Sequence, residues 1–151
     1  MYTYYKGLTI REGTDGLGGE LLRELYTEIG WCSESLPIWQ NEKFEIALHN
    51  SAWAYSVWDA ESLVGYVRVV SDRVMVASIQ DLMVKKEYRK QGIGKTLIQL
   101  CLQKLPHGNW SAKTTCENYK FYEECGFSMP DNQNYTMEYD GFMKAKIEGN
   151  R

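Results

Sequence analysis

A basic segment with two glycines, Arg89-Lys90-Gln91-Gly92-Ile93-Gly94, has the residue types that can hold an anion. We call it the glycine loop. It follows an apolar stretch that ends at Val84 and leads into a segment with helical spacing. Glycine lets the backbone approach a ligand closely, and the first N–H groups of a helix lack partners and favour negative charge. With its own basic residues and the following Lys95, the glycine loop is predicted to bind a phosphate or pyrophosphate.

Two well-known nucleotide-binding loops do not fit this segment. The dinucleotide pattern GxGxxG needs a third glycine where this chain has Leu97. The P-loop pattern GxxxxGK[ST] matches at Gly94-Lys95-Thr96, but Arg89 stands where its first glycine should be. The pattern that remains is [RQ]xxGxG.

That pattern resembles the pyrophosphate loop of the GCN5-related N-acetyltransferase (GNAT) superfamily. The preceding IQDLMV strand and KKEYR turn look like the family's strand and turn before its loop. A later segment, Glu117 to Phe127 (ENYKFYEECGF), is similar to the family's second signature. Two signatures in the right order, separated by a helix and a strand, are far more specific than a bare GxG.

The resemblance implies that acetyl-CoA is the cofactor. The peptide groups of Leu82, Met83 and Val84 would contact the pantetheine arm, with one N–H near the thioester carbonyl. Asn118 matches the family's asparagine beside the pantetheine. The pyrophosphate would be held by a continuous run of residues, namely Arg89, Lys90, Gln91, Gly92, Ile93, Gly94, Lys95 and Thr96.

The resemblance also implies catalytic roles. Tyr122 matches the tyrosine near the cofactor sulfur and would be the general acid for the departing thiolate. An alkylammonium has a pKa of about 10.4, so the attacking amine must lose a proton. Asp81 is the nearest acid on the strand before the loop, although strand alternation can aim it into the sheet. Ser78 occupies the position of the glutamate in histone-modifying relatives, so the resemblance does not identify the base. Three other acids therefore stay open as candidates, namely Glu28, Glu34 and Glu117. A proton path through water or through the substrate itself also stays open.

The early segment from Trp31 to Trp39 is predicted to supply the acceptor pocket. It combines aromatic side chains with the acid Glu34. Aromatic faces and carboxylates both attract cations. We therefore expect Trp31, Glu34 and Trp39 to bind an arylalkylamine or another cationic acceptor.

Composition argues against several other classes of protein. A net charge of −3 gives no general attraction to nucleic acid or anionic lipid. The four cysteines and two histidines lack metal-ligand spacing, so no metal site is predicted. No run approaches about 18 apolar residues, and Met1 to Gly7 lacks the apolar region of a signal peptide. We expect a cytoplasmic protein with neither nucleic acid nor membrane as a partner.

The elements that must position these residues are those of a mixed domain. Strands are predicted over residues 7–12, 52–58, 63–70, 74–84, 109–116 and 135–139, and helices over 20–29, about 35–50, 94–105 and 118–125. Residues 1–151 read as a single domain, with a core over about 7–140 and a tail over 141–151. The resemblance implies an α/β (α+β) fold whose central sheet is mixed and mostly antiparallel, with helices on both faces and splayed central strands.

The leading hypothesis is an acetyl-CoA-dependent N-acetyltransferase that moves the acetyl group directly to a primary amine. A small-molecule amine is favoured over a peptide or protein amine, and transfer to a Ser or Thr hydroxyl stays open. Two alternatives use the same fold: a non-catalytic acyl-CoA-binding module, and an oligomeric interaction protein that uses its C-terminal region. Because family members frequently dimerise through late strands, the resemblance implies that a homodimer is compatible with catalysis.

Overall fold

The structure of the chain, a computed structural model, describes residues 2–33, 37–130, 133 and 136–147. Its strands are β1 (Tyr2–Tyr5), β2 (Leu8–Glu12), β3 (Trp53–Asp59), β4 (Ser62–Ser71), β5 (Val76–Val84) and β6 (Asn109–Ala112). Its α-helices are α1 (Gly19–Ile29), α2 (Asn41–His49), α3 (Ile93–Lys104), α4 (Tyr119–Glu124) and α5 (Gly141–Ile147). Short 3-10 turns precede α2 and the glycine loop, at Ile38–Gln40 and Lys86–Tyr88.

The strands form one six-stranded sheet in the order β1-β2-β3-β4-β5-β6. Neighbours are antiparallel from β1 to β5, and β6 is parallel to β5. Parallel neighbours need a crossover, which α3 supplies. This mixed, mostly antiparallel sheet confirms the predicted fold class.

Helices cover both faces of the sheet. On one face, α3 buries an apolar stripe against β4 and β5, consisting of Ile93, Leu97, Ile98 and Cys101. On the other face, α1 and α2 bury Leu22, Leu25 and Leu48 against Tyr66 and Met83. Burying an aliphatic side chain of this size stabilises the fold by about 2 kcal/mol. The core therefore lies in two layers, one on each side of the sheet.

A bulge in β5 changes which face its side chains occupy. Val67 of β4 lies opposite two residues of β5, Asp81 and Leu82, between the pairs Tyr66↔Met83 and Arg68↔Gln80. Asp81 takes up the extra residue with a φ of 54°. A bulge of this kind re-aims the side chains that follow it. As a result, the Asp81 carboxylate reaches the α1 side of the sheet.

β5 and β6 separate halfway along β5. They pair only from Val76↔Asn109 to Ile79↔Ala112, whereas β5 continues to Val84. Beyond Ile79, no described strand lies on the β6 side of β5. This open edge is the predicted splay, and its unpaired peptide groups can bond a ligand.

Several predicted boundaries were wrong. Residues 2–5 form a strand that the predicted core, beginning at Gly7, left out. The second helix begins with the 3-10 turn at Ile38 rather than near Ser35, which lies outside the described residues. β6 ends at Ala112 and not near residue 116. The predicted tail over residues 141–151 contains α5.

The predicted strand over residues 135–139 is also wrong for its described part, because residues 136–139 have no strand structure. Tyr135 lies outside the described residues. The segment contacts Lys113, the residue that follows β6, whose Nζ lies 3.1 Å from the Glu138 carboxylate. Since β6 has already ended at that point, no strand of the described residues continues beside the segment to form a ladder with it.

None of the helices in the described part of the chain is both long and apolar enough to cross a membrane.

Candidate functional site

The glycine loop presents unpaired backbone donors at the start of α3. Gly92 occupies the N-cap position with a φ of 82°, and no side chain caps the helix. The N–H of Thr96 donates to the Gly92 carbonyl over 3.0 Å, so the N–H groups of Ile93, Gly94 and Lys95 have no acceptor within the helix. Lys90 also has a positive φ, of 62°. Successive N–H groups in such a loop form a concave anion site.

The second signature packs directly on this loop. A Cβ built on Gly94 would lie 3.2 Å from Cζ of Phe121, which belongs to α4. A side chain at this position would push Phe121 back by a few tenths of an ångström, so the glycine lets α4 come this close to the first turn of α3. The two sequence signatures therefore meet in space, and the structure brings the predicted anion site and Tyr122 onto the same side of the sheet.

Tyr122 is half-buried beside α3. Its ring makes edge-to-face contacts with Phe121 and Phe127, with centroids 5.1 and 5.4 Å apart. Burial, with smaller contributions from Cys125 and Cys101, raises the pKa of Tyr122 to about 12. The phenol is therefore protonated at neutral pH. No described residue accepts a hydrogen bond from it, so its O–H is available to a ligand.

The end of β5 supplies the peptide groups predicted to contact pantetheine. Leu82 and Val84 pack on the α3 side of the sheet and Met83 on the α1 side. The Val84 carbonyl already accepts a hydrogen bond from Nε of Arg89, over 2.8 Å. That bond folds the Arg89 side chain back onto β5 and joins the open edge of the strand to the glycine loop.

These features fit the cofactor implied by the sequence. Coenzyme A carries a diphosphate and an extended pantetheine arm with amide groups. The uncapped start of α3 offers N–H donors to the diphosphate, with Lys90 and Lys95 exposed beside them. The open edge of β5 offers peptide groups to the pantetheine arm.

Asn118 stands at the N-cap position of α4, but its side chain caps nothing. Its Nδ2 donates to Oγ1 of Thr115 over 3.2 Å, and the residue is exposed. The amide oxygen has no partner among the described residues. A contact with the pantetheine is therefore sterically open.

Asp81 lies at the centre of a polar cluster on the α1 side of the sheet. Nε of Arg68 lies 2.5 Å from its Oδ2, and the Tyr26 hydroxyl donates to the same oxygen. Burial, followed by the negative charge of Asp81, raises the pKa of Tyr26. Burial alone would lower the pKa of Arg68, but the Asp81 charge and hydrogen bond raise it. Oδ1 of Asp81 has no partner within the described part of the chain.

Aromatic side chains continue from this cluster toward the predicted acceptor segment. The Tyr26 ring packs on Phe44 with centroids 4.7 Å apart, and meets Trp31 edge-on at 6.3 Å. Trp31 is 55% exposed. The structure therefore brings Trp31 to the Asp81 cluster through Tyr26, and together they form an aromatic surface that ends in a carboxylate.

Trp39 is placed differently. It is 62% exposed, and Nζ of Lys43 lies 5.2 Å from the centre of its ring. No ring contact joins it to Trp31 among the described residues. Glu34, the third residue predicted to bind the acceptor, lies outside the described residues.

The other candidate bases within the described residues, Glu28 and Glu117, have a partner or lie apart from the Asp81 cluster. The Glu28 carboxylate lies 2.9 Å from Nζ of Lys85. Glu117 is exposed just before α4. Ser78 accepts a hydrogen bond from the Gln80 amide over 2.9 Å.

Sequence reasoning missed Tyr26, Arg68 and Phe44. Arg68 had a usable signal, because it is a lone charge in the apolar strand that also contains Val67 and Val69. Buried charges are usually paired, and Asp81 is the one acid in the next strand. Tyr26 and Phe44 had no such signal, since aromatic residues on amphipathic helices usually just pack in the core.

The acetyltransferase (GNAT) family matches residues 16–127 of this chain. The chain is 32% identical over 113 residues to the uncharacterized N-acetyltransferase ycf52 of Pyropia yezoensis, covering 70% of this chain and 62% of that protein. It is 30% identical over 137 residues to GCN5-related N-acetyltransferase 2, chloroplastic, of Arabidopsis thaliana, covering 73% and 51%. The chain thus matches little more than half the length of these curated relatives.

Solved structures show the same fold. A GNAT family acetyltransferase from Streptococcus pneumoniae TIGR4 superimposes with a TM-score of 0.71 at 27% identity, covering 87% of this chain and 96% of that one. Glucosamine-6-phosphate N-acetyltransferase from Arabidopsis thaliana gives a TM-score of 0.64 at 15% identity, covering 88% and 98%.

Proposed function

Because the chain belongs to the acetyltransferase (GNAT) family, we propose that it transfers an acetyl group from acetyl-CoA directly to a primary amine, most simply that of a small molecule. The observation that carries this proposal is the contact between Phe121 and Gly94, which unites the uncapped start of α3 with the helix that bears Tyr122. The proposed phosphate site thus shares one side of the sheet with a phenol that has no hydrogen-bond partner among the described residues.

The chain's own residues would hold the donor at three places. The residues proposed to bind the diphosphate are those predicted from the sequence, Arg89 to Thr96. The peptide groups of Leu82, Met83 and Val84 would align the arm along β5, and Asn118 would contact it from the start of α4. When bound, acetyl-CoA supplies the activated thioester that the amine attacks.

Tyr122 is proposed as the general acid, with its O–H donating to the departing sulfur. Its phenol, with a pKa raised to about 12, stays protonated at every pH at which the enzyme would work. A thiolate of ordinary pKa, about 8.5, is a weaker base than this phenolate. The O–H therefore acts chiefly by stabilising the thiolate through a hydrogen bond, and less by complete proton transfer.

The acceptor is proposed to approach from the α1 side of the sheet. There, Trp31 and Tyr26 offer aromatic faces, and Oδ1 of Asp81, which has no partner among the described residues, can accept a hydrogen bond from an ammonium. Aromatic faces with a nearby carboxylate attract cations. We propose Trp31, Glu34 and Trp39 as acceptor-binding residues and Asp81 as the group that orients the amine and accepts its proton.

The cytoplasmic location and the homodimer both stay predictions. For the location, the reason is that one relative, from Arabidopsis thaliana, is named as chloroplastic. For the homodimer, the exposed Met137, Tyr139 and Phe142 near the C-terminus offer apolar surface. Light scattering over a range of concentrations would measure the oligomeric state.

The experiment that tests the proposal is incubation of the protein with acetyl-CoA and a panel of primary amines. Free coenzyme A and the acetylated product are both quantified by mass spectrometry, because the exposed Cys116 would react with a thiol reagent. Equal amounts of both products in an amine-dependent reaction support the proposal. Binding of acetyl-CoA without any turnover would favour a non-catalytic acyl-CoA-binding module. A product cleaved by hydroxylamine would be an ester, and would indicate O-acetylation instead.

A further inference from the structure

The tip of the β1–β2 hairpin touches the glycine loop. The hydroxyl of Tyr5 donates to the backbone carbonyl of Gln91 over 2.7 Å. The ammonium of Lys6 donates to the same carbonyl over 3.0 Å. Lys6 and Gly7 form the two-residue turn of the hairpin, with φ values of 48° and 82°. That turn places both donors beside a single acceptor 85 or more residues away along the chain.

Tyr5 is anchored on its other side. Its ring is half-buried and packs against the core layer beneath α3. The hairpin register also fixes it, because Tyr5 pairs with Leu8, whose side chain is buried in the same layer. The hydroxyl is therefore held at a defined position above the loop.

The direction of the Gln91 carbonyl matters because the peptide bond is planar. In a trans peptide, the carbonyl of one residue and the N–H of the next point in opposite directions. A carbonyl held by the hairpin thus turns the Gly92 N–H away from the hairpin. Without this restraint, the peptide between Gln91 and Gly92 could turn over, because glycine tolerates both orientations about equally. The reversed peptide would direct its carbonyl oxygen, instead of its N–H, at a bound anion.

We propose that the β1–β2 hairpin is a positioning element of the phosphate site, in which Tyr5 and Lys6 hold the Gln91 carbonyl outward and so keep the Gly92 N–H directed at the diphosphate. This inference rests on the proposed function, since it takes the diphosphate to be that of an acyl-CoA. It assigns a role in donor binding to residues that precede both sequence signatures.

The test is the dissociation constant of acetyl-CoA, measured by isothermal titration for the wild type and for Tyr5→Phe, Lys6→Met and the double variant. Tyr4→Phe is the matched control, because Tyr4 is the next residue in β1 and is 80% exposed. We expect each single variant to weaken binding about three- to ten-fold, the range expected from one hydrogen bond. The double variant weakens it further, and Tyr4→Phe leaves it unchanged.

A second ligand separates positioning from general support of the fold. S-acetylpantetheine has the thioester and the arm but no diphosphate, and ligand-observed NMR at millimolar concentration measures its affinity. We expect Tyr5→Phe to leave this affinity unchanged. Equal weakening for both ligands would overturn the inference, because the hairpin would then only support the fold.

The remaining outcomes are also decisive. If the wild type binds acetyl-CoA and Tyr5→Phe binds it equally well, the inference is overturned and the proposed function stands. If the wild type binds no acetyl-CoA at all, the proposed function fails, and the inference fails with it.

Discussion

Arg68 and Asp81 face each other across neighbouring strands, with Nε of the guanidinium 2.5 Å from Oδ2 of the carboxylate. Their side chains are only 17% and 22% exposed. The pair exists because the bulge in β5 turns Asp81 to the α1 side, where Tyr26 also donates to it. The Asp81 carboxylate is thus held by two donors on Oδ2, while its Oδ1 has no partner among the described residues.

Removing one partner of this pair should destabilise the protein more than removing both. Arg68→Met would leave the Asp81 charge without its partner, at a cost of about 2–4 kcal/mol in the free energy of unfolding. Urea unfolding of both single variants and of Arg68→Met/Asp81→Asn gives the coupling energy, which we expect to be about 1–3 kcal/mol. The more exposed pair Lys85–Glu28 is the control, with an expected coupling below about 1 kcal/mol. Equal coupling energies for the two pairs would contradict this account.

Gly92→Ala should be more destabilising than Gly30→Ala. Both residues have a positive φ, 82° and 92°, so both substitutions strain the backbone by about 1 kcal/mol. A Cβ at Gly30 meets nothing within 4 Å, whereas at Gly92 it would lie 2.5 Å from the Tyr5 hydroxyl. The extra loss of stability caused by Gly92→Ala should be smaller when Tyr5→Phe is also present, since the next nearest atom of Tyr5, Cζ, is 3.7 Å away. Thermal unfolding of Gly92→Ala, Gly30→Ala, Tyr5→Phe and Gly92→Ala/Tyr5→Phe measures these losses. If Gly92→Ala costs as much stability with Tyr5→Phe as without it, the contact is refuted.

Tyr122→Phe should lower kcat about 100-fold and leave the KM for acetyl-CoA nearly unchanged, because the hydroxyl acts on the departing sulfur. Tyr119→Phe, on the same helix, is the control and should keep full activity. Steady-state kinetics with an amine identified by the screen measures both. A full rate in Tyr122→Phe would remove this residue from the mechanism.

The same tyrosine predicts how stability depends on alkaline pH. Burial raises the pKa of Tyr122 from 10.0 to about 12, so the unfolded chain loses this proton at a lower pH than the folded chain. The stabilisation is therefore complete below pH 10 and is lost as the pH rises toward 12, by up to about 1.4 kcal/mol per pH unit. Burial raises the pKa values of Tyr26, Tyr55 and Tyr66 in the same direction. Tyr122→Phe should make the decline measured by urea unfolding less steep, and an identical decline would contradict the assignment.

Trp31→Ala should raise the KM for a cationic aromatic amine about three- to thirty-fold, because one aromatic face is lost beside Tyr26, whose hydroxyl bonds Asp81. Trp39→Ala should have a smaller effect, since Lys43 already lies over that ring. Tyr139→Ala, an exposed aromatic residue near the C-terminus, is the control. If Trp31→Ala leaves the KM for every amine unchanged, the acceptor does not bind at this surface.

The sequence predicted the elements that depend on local signals. Gly30 ends α1, the predicted helix over 20–29, with a left-handed φ of 92°, and α3 forms close to the predicted range 94–105. The glycine loop was found because its residue types and its place before a helix carry the chemistry. Two features that depend on contacts between residues far apart in the chain escaped prediction. Nothing local indicates that Asp81 adopts a positive φ, or that Tyr5 lies against Gln91.

The most direct test of the central claim is calorimetric titration of the protein with acetyl-CoA. We predict micromolar binding to the wild type, and binding at least about ten-fold weaker in Lys90→Glu/Lys95→Glu, which reverses two exposed charges beside the N-terminus of α3. Lys43→Glu/Lys144→Glu makes the same change in net charge on α2 and α5, and should bind like the wild type. No heat at millimolar acetyl-CoA, or equal weakening in both double variants, would contradict a phosphate site at the glycine loop.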